Sequence, residues 1–175
     1  MRIEVEGLEE KRRAFRHSYA PEALIFDDDR VRLVSPVEVS GNILPRGRGI
    51  ALQGRLSATV EVDCDRCLSP VTIPVDGNID LRYTTVQDYQ SSPASEIEAA
   101  DMTLSVFDGA AIDLDEAVKE QLLLAVPART VCREDCRGLC PVCGADRNRS
   151  ECQCQVNADR SQWGALAEML DDQQP

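Results

Sequence analysis

The chain has 175 residues, of which 43% are hydrophobic, and a net charge of −12. This length suits one domain with a sizeable core plus a small additional module, and the hydrophobic fraction excludes a wholly disordered chain. No apolar run reaches the ~18 residues that a membrane-spanning helix needs. Residues 1–6 alternate charged and apolar side chains, unlike a signal peptide. We therefore expect a cytoplasmic protein.

The first third of the chain predicts strands. Residues 1–6 alternate as a strand does, and residues 9–19 are charged and fit either a short helix or an exposed loop. Residues 31–44 predict a strand with a bulge at Gly41, and residues 45–49 form a turn rich in glycine.

The clearest pattern is a long hairpin on either side of residues 64–70. Apolar side chains occupy alternate positions before and after this link, as expected for half-buried antiparallel strands. Pro74 indicates that the second strand lies at an edge or starts late. The alternating positions are Ile50, Leu52, Leu56, Ala58, Val60 and Val62, then Val71, Ile73, Val75, Ile79, Leu81 and Tyr83.

The remaining elements are shorter. Residues 87–100 predict a polar loop, and residues 102–107 predict a short strand. Residues 113–125 predict a helix that begins with a capping box of Asp113 and Glu116 and ends before Pro127. A final helix is predicted at about residues 160–170, where Trp163 begins the apolar face.

Together these elements predict an α+β fold: an antiparallel β-sheet with a long central hairpin, two helices and a small cysteine-rich, metal-binding module. The expected organisation is a domain of sheet and helix over residues 1–128, a zinc-knuckle module over 129–155, and a C-terminal helix within 156–175.

Eight cysteines in a chain expected in a reducing compartment indicate metal ligation or redox chemistry rather than disulfides. Within Cys140-Pro141-Val142-Cys143-Gly144, a proline and a glycine let the backbone turn so that both sulfurs reach one ion. An all-cysteine set is typical of a closed, structural zinc site. The candidate ligands in the tail are Cys132, Cys136, Cys140, Cys143, Cys152 and Cys154.

Cys64 and Cys67, in the hairpin link, are the other candidate ligands. They could join Cys132 and Cys136, which would divide the eight cysteines into two sites. Alternatively they are free thiols, or small core residues that close the hairpin. Neither C-x-x-C pair precedes a helical pattern as a thioredoxin motif does, so thiol oxidoreductase activity is the weaker alternative.

Nothing else in the sequence predicts catalysis. His17 is the only histidine, and no partner for it can be identified, so a surface histidine is expected. We therefore expect no enzymatic activity and no small-molecule substrate. Arginines around the cysteines could contact RNA phosphates or a protein partner, or could simply solvate the module. They are Arg66, Arg129, Arg133, Arg137, Arg147 and Arg149.

Several motifs resemble those of the YceD family, in a branch with a cysteine-rich, zinc-knuckle tail. Cys64-Asp65-Arg66-Cys67-Leu68 is similar to its C-x-R-C-L signature, and residues 136–144 are similar to its CxGLCPxCG block. Asp113-Leu114 with residues 121–124 and Pro127 resembles its leucine-rich helix. The resemblance implies a cytoplasmic, non-enzymatic factor in accumulation or processing of large-subunit ribosomal RNA and in ribosome assembly.

The partners implied are a precursor of the large subunit, its rRNA or a ribosomal protein, with no membrane involved. Residues 83–128 carry nine acidic side chains and one basic one. This charge favours a second hypothesis, an acidic chaperone for a basic ribosomal protein without RNA contact.

Overall fold

The computed structural model describes residues 1–5, 12–47, 49–91 and 104–155. The chain forms two compact units. The sheet unit comprises Met1–Asp63 and Pro70–Thr130, and the cysteine unit comprises Cys64–Ser69 and Val131–Pro175. The helix predicted at residues 160–170 lies outside the described residues.

Most of the sheet unit is one six-stranded sheet, in which β2, β4, β5, β6 and β7 are neighbours in that order and β3 pairs with β5. Strands β1 and β8 form a second, two-stranded sheet. The strands are β1 (Arg2–Glu4), β2 (Arg13–Tyr19), β3 (Val31–Leu33), β4 (Val37–Arg46), β5 (Gly49–Asp63), β6 (Pro70–Thr85), β7 (Leu104–Phe107) and β8 (Ala111–Asp113). The helices are α1 (Val86–Ser91) and α2 (Leu114–Ala125), with a 3₁₀ turn at Pro21–Ala23.

The long hairpin is confirmed, because β5 and β6 pair antiparallel from Ile50 with Tyr83 to Asp63 with Pro70. All six predicted positions of β5 are buried, and so are Val75, Ile79 and Leu81 of β6. In the described residues β6 has a neighbour on its other side only at Arg82–Thr85, so Pro74 lies at a sheet edge, where its missing N–H costs no ladder hydrogen bond.

Helix α2 closes the core over the sheet. The Asp113 carboxylate accepts hydrogen bonds from the backbone N–H groups of Asp115 and Glu116, as the predicted cap requires. Leu114 and Leu122 are fully buried in the same apolar cluster as the inward side chains of β4, β5 and β6. The α+β class is therefore confirmed, and no described helix is long and apolar enough to cross a membrane.

Three local predictions were wrong. Residues 13–19 form strand β2 instead of a helix or loop, because Phe15 and Tyr19 are buried on one face of a strand, with half-buried His17 between them, a pattern that the surrounding charge obscured. The loop predicted at 87–100 begins as helix α1. Strand β7 pairs with β6 in parallel, so the sheet is not purely antiparallel.

The prediction for residues 31–44 was also partly wrong, because β3 and β4 are separate strands and Gly41 forms no bulge. Gly41 pairs in regular register with Gly54. A Cβ atom on Gly41 would lie 2.2 Å from the Gln53 carbonyl oxygen. Glycine is therefore needed here because the two strands approach closely, which a sequence pattern cannot distinguish from a bulge.

Candidate metal centre

The eight cysteines lie in two groups of four within the cysteine unit. In each group the four sulfur atoms all lie within 4.8 Å of one another. The first cluster is Cys64, Cys67, Cys132 and Cys136, and the second cluster is Cys140, Cys143, Cys152 and Cys154. The hairpin pair thus joins two cysteines of the tail, and none of the eight is in a disulfide.

Cys64 to Leu68, in the link between β5 and β6, form a tight knuckle that places two sulfurs of the first cluster. The Leu68 N–H donates to the Cys64 carbonyl at 2.9 Å, and the Cys64 N–H donates to the Ser69 carbonyl at 2.8 Å. Leu68 has a φ of +59°, which is unfavourable for a leucine by about 1–2 kcal/mol. This turn folds the backbone around the Cys64 sulfur.

Cys140 to Gly144 repeat that knuckle in the second cluster. The Gly144 N–H donates to the Cys140 carbonyl at 2.8 Å, and the Cys140 N–H donates to the Ala145 carbonyl at 2.8 Å. Gly144 has a φ of +73°, which glycine adopts without steric cost. The two knuckles share one hydrogen-bonding pattern, with glycine in one and leucine in the other at the position with positive φ.

Gly138 connects the two clusters. It has a φ of +70°, and a Cβ atom there would lie 2.8 Å from the Arg66 carbonyl oxygen. The next residue, Leu139, donates its N–H to that same oxygen at 2.8 Å. The Arg147 N–H, from the loop of the second cluster, donates to the Gly138 carbonyl at 3.0 Å. A side chain at this position would separate these backbone segments.

Asn148 is a second connection. It lies in the loop between Cys143 and Cys152, yet its Nδ2 donates to the Cys136 sulfur of the first cluster at 3.4 Å. Its Oδ1 accepts from the Arg137 backbone N–H at 2.8 Å. Outer hydrogen bonds of this kind orient metal ligands and tune their basicity. The loop of one cluster therefore supports the sulfur geometry of the other.

Hydrogen bonds favour the thiolate form of two sulfurs in the first cluster, those of Cys64 and Cys136. Burial raises the pKa of Cys64, but N–H groups of Cys132, Arg66 and Cys67 outweigh burial and lower this pKa to about 6. Burial and hydrogen bonds with neighbouring cysteines raise the pKa of Cys132 to about 12. Cys64 and Cys132, which lie in one cluster, therefore differ in the pH at which their thiols ionise.

The second cluster has the same asymmetry. Backbone N–H groups of Cys143 and Val142 lower the pKa of Cys140 to about 6. A hydrogen bond with Cys143, followed by burial, raises the pKa of Cys154 to about 12. The second cluster thus places three further thiols around the Cys140 sulfur, and a bound cation would balance the negative charge when all four ionise.

The donor set and its spacing fit a tetrahedral ion. Four sulfurs at about 2.3 Å from a zinc ion would lie about 3.8 Å apart. Cys64 and Cys136 sulfurs lie 3.9 Å apart, and Cys67 and Cys132 sulfurs lie 3.6 Å apart. Soft thiolate donors in this arrangement suit zinc or an iron–sulfur centre. Both clusters could therefore hold a metal ion.

The six arginines predicted to contact a partner differ in the interactions that they form within the protein. The Arg66 guanidinium donates to the carbonyls of Glu134 and Cys136 at 3.1 and 2.9 Å, which fastens the hairpin tip to the tail. The Arg133 guanidinium donates to the Asn148 amide oxygen. Arg149 forms an ion pair with Asp146. Arg129, in the sheet unit, and Arg137 and Arg147, in the cysteine unit, are exposed.

Sequence reasoning missed Asn148, Gly138 and Leu68. Aligning the two knuckles by their first cysteines would have placed Leu68 opposite Gly144 and indicated its positive φ. Gly138 precedes Leu139 and Cys140 without any pattern that indicates a close backbone approach. Asn148 is a polar loop residue whose partner is twelve positions away in sequence. His17, in β2, is half-buried with its ring 4.4 Å from that of Tyr19.

Comparison with known proteins places these features in a family. The model of YceD, described as large ribosomal RNA subunit accumulation protein YceD, matches residues 52–170, which include all eight cysteines. An uncharacterised protein of Mycobacterium tuberculosis is 33% identical over 122 residues, covering 70% of this chain and 56% of that protein.

Two plant proteins named large ribosomal RNA subunit accumulation protein YCED homolog 1, chloroplastic, are more distant. The Arabidopsis thaliana protein is 21% identical over 161 aligned positions, covering 80% of this chain and 50% of the plant protein. The Zea mays protein is 26% identical over 144 aligned positions, covering 69% of this chain and 49% of the plant protein. The chain thus spans about half the length of the curated relatives it matches, and no solved structure matches it. From the match over residues 52–170, the chain belongs to the YceD family.

Proposed function

We propose that this protein is a non-enzymatic, cytoplasmic factor that supports accumulation of large-subunit ribosomal RNA and that its two clusters hold structural zinc ions. The observation that carries the proposal is the YceD match, which spans most of the hairpin, all of α2 and both clusters. Two relatives carry the name of large ribosomal RNA subunit accumulation proteins. The protein would act by binding and not by chemistry.

The thiol geometry supports a structural role for the ions. Each cluster supplies four protein sulfurs, so a tetrahedral ion would keep no position open for water or substrate. Among the described residues the apolar core lies in the sheet unit, and the cysteine unit contributes little apolar area. Bound zinc would supply folding free energy to residues 131–155, which have no hydrophobic core of their own.

Charge supports a basic protein as the direct partner. The described cysteine unit has five arginines and five carboxylates, which balance. A divalent ion on four thiolates carries a formal charge of −2, so two filled clusters give this unit −4. Because Arg66, Arg133 and Arg149 are already engaged within the unit, few cations are free for phosphate. This balance favours a basic ribosomal protein over RNA.

A cellular experiment tests the rRNA role. A strain that lacks the gene should accumulate less large-subunit rRNA relative to small-subunit rRNA, and the wild-type gene should restore the ratio. The Cys64→Ser, Cys67→Ser double variant should fail to restore it, because it removes half of the first cluster. An unchanged ratio in the deletion strain would refute the proposed role.

Two measurements on the purified protein test the rest of the proposal. Elemental analysis should find two zinc ions per chain, and iron in place of zinc would contradict the structural assignment. The metal-free, reduced protein should not accelerate insulin reduction by dithiothreitol, whereas a thiol oxidoreductase would. Thioredoxin serves as the positive control in the same assay.

A further inference from the structure

Leu68 occupies a backbone position that does not require leucine. Leu68 and Gly144 are equivalent, because each lies four residues after the first cysteine of a knuckle and donates its N–H to that cysteine's carbonyl. Their φ angles are +59° and +73°. Glycine adopts this conformation without strain, and a β-carbon does not. The second knuckle shows that glycine satisfies the same turn.

Packing does not require leucine at this position either. The Leu68 side chain is 60% exposed, so it buries little apolar area to offset the strained backbone. In the described cysteine unit the exposed large apolar side chains are Leu68 and Val142, one on each knuckle. A residue that is strained and also exposed points to a function outside the fold.

The composition of the unit that bears Leu68 indicates the chemistry of the partner. The described cysteine unit has no aromatic side chain on which an RNA base could stack. With both clusters filled, its formal charge is negative, which repels phosphate and attracts lysine and arginine. An exposed apolar side chain on a unit of negative formal charge fits a protein that offers an apolar pocket bordered by basic residues.

We infer that Leu68 is the apolar anchor through which the cysteine unit binds a basic protein. The inference rests on the proposed function for its partner class, ribosomal proteins of the large subunit. Strain at Leu68 is then the cost of presenting an apolar side chain at the tip of a rigid turn. Substituting it should weaken binding without weakening the fold.

Binding is measured by fluorescence anisotropy with the zinc-loaded, labelled protein. The probes are purified large-subunit ribosomal proteins, tested one at a time, and a transcript of the large-subunit rRNA. At least one ribosomal protein should bind, and Leu68→Ala and Leu68→Gly should weaken that binding about tenfold or more, because a buried leucine side chain is lost. Leu124→Ala, at a similarly exposed leucine of α2, should change it less than twofold.

Three results would overturn the inference. The Leu68 variants could bind like the wild type, the wild type could bind none of the ribosomal proteins, or it could bind the transcript alone. A thermal melt of the zinc-loaded protein provides an independent check. Leu68→Gly should melt at or above the wild-type temperature because it relieves strain. A lower melting temperature would mean that Leu68 serves the fold, which also contradicts the inference.

The deletion strain separates this inference from the proposed function. If the deletion lowers large-subunit rRNA and Leu68→Gly restores it fully, the function stands and the inference fails. If the deletion has no effect, the proposed function fails, and the binding measurement decides the inference by itself. If the deletion lowers the rRNA and Leu68→Gly, expressed at the wild-type level, does not restore it, both are supported.

Discussion

Replacing Asn148 by alanine should weaken metal binding at the first cluster, although Asn148 lies in the loop of the second. The substitution removes the hydrogen bonds that the Asn148 side chain forms with the Arg133 guanidinium and the Asp146 carboxylate. It also removes the two bonds that bear most directly on the first cluster, the 3.4 Å bond from Nδ2 to the Cys136 sulfur and the 2.8 Å bond that Oδ1 accepts from the Arg137 N–H. Each is worth about 0.5–1.5 kcal/mol. Their combined loss, about 1–3 kcal/mol, corresponds to a loss of affinity of roughly 5- to 150-fold, of the same order as for other outer-shell ligands.

Competition with a chromophoric zinc chelator measures this loss of metal affinity. Cadmium-113 NMR of the Asn148→Ala protein, loaded with cadmium in place of zinc, shows which cluster is perturbed. Ser150→Ala is the matched control, because Ser150 lies in the same loop and its Oγ donates to the Asp146 carbonyl and not to a sulfur. Asn148→Asp keeps the acceptor for the Arg137 N–H but places a carboxylate oxygen beside the Cys136 sulfur in place of the N–H donor, so it should also weaken metal binding at the first cluster. Wild-type affinity of both Asn148 variants at the first cluster would refute the reasoning.

Chelation should abolish amide-exchange protection across residues 132–154 while the hairpin and α2 keep theirs, and protection unchanged after metal removal would contradict a structural role for the ions. Gly138→Ala should destabilise the zinc-loaded cysteine unit by about 1–3 kcal/mol in chemical denaturation, because its φ is +70° and a Cβ would lie 2.8 Å from the Arg66 carbonyl oxygen. Gly77→Ala, where a Cβ would meet nothing within 4 Å, should change stability by less than about 0.5 kcal/mol. Burial, with Glu120 and other carboxylates nearby, raises the pKa of Tyr83 from 10.0 to about 12. The neutral phenol therefore contributes stability that is complete below pH 10 and lost as pH rises to about 12; an ultraviolet titration in which Tyr83→Phe removes no component near pH 12 would contradict this.

The elements that could be predicted from sequence are those whose burial follows a local period. The alternation from Ile50 to Tyr83 gave the hairpin, and Asp113 with the following apolar stripe gave α2. Strand β2 was missed because its inward residues are few and arginines lie between and beside them. The parallel pairing of β7 depends on the direction in which the chain crosses over after β6, and amino-acid composition does not indicate that direction.

The cysteine pattern predicted a metal site but not which four cysteines share each cluster. The spacing of Cys140 and Cys143 indicates a knuckle locally, whereas the grouping of Cys64 and Cys67 with Cys132 and Cys136 depends on the tertiary fold. The sequence alone could not decide between that grouping and free thiols at Cys64 and Cys67. Gly138 and Asn148 could not be identified for the same reason, since their roles lie in contacts with Arg66 and Cys136 that the fold alone creates.

The sulfurs of Cys67 and Cys132 lie 3.6 Å apart although 65 positions separate them in the chain. An ion in the first cluster would act as a reversible crosslink, closing a ring from the hairpin tip to the tail and restricting the unfolded chain as a covalent bridge does. Cutting the chain at Thr130 would leave two thiols without their partners on each side of the cut. The excised tail would retain the whole second cluster and only half of the first, so the two units cannot be separated as independent fragments.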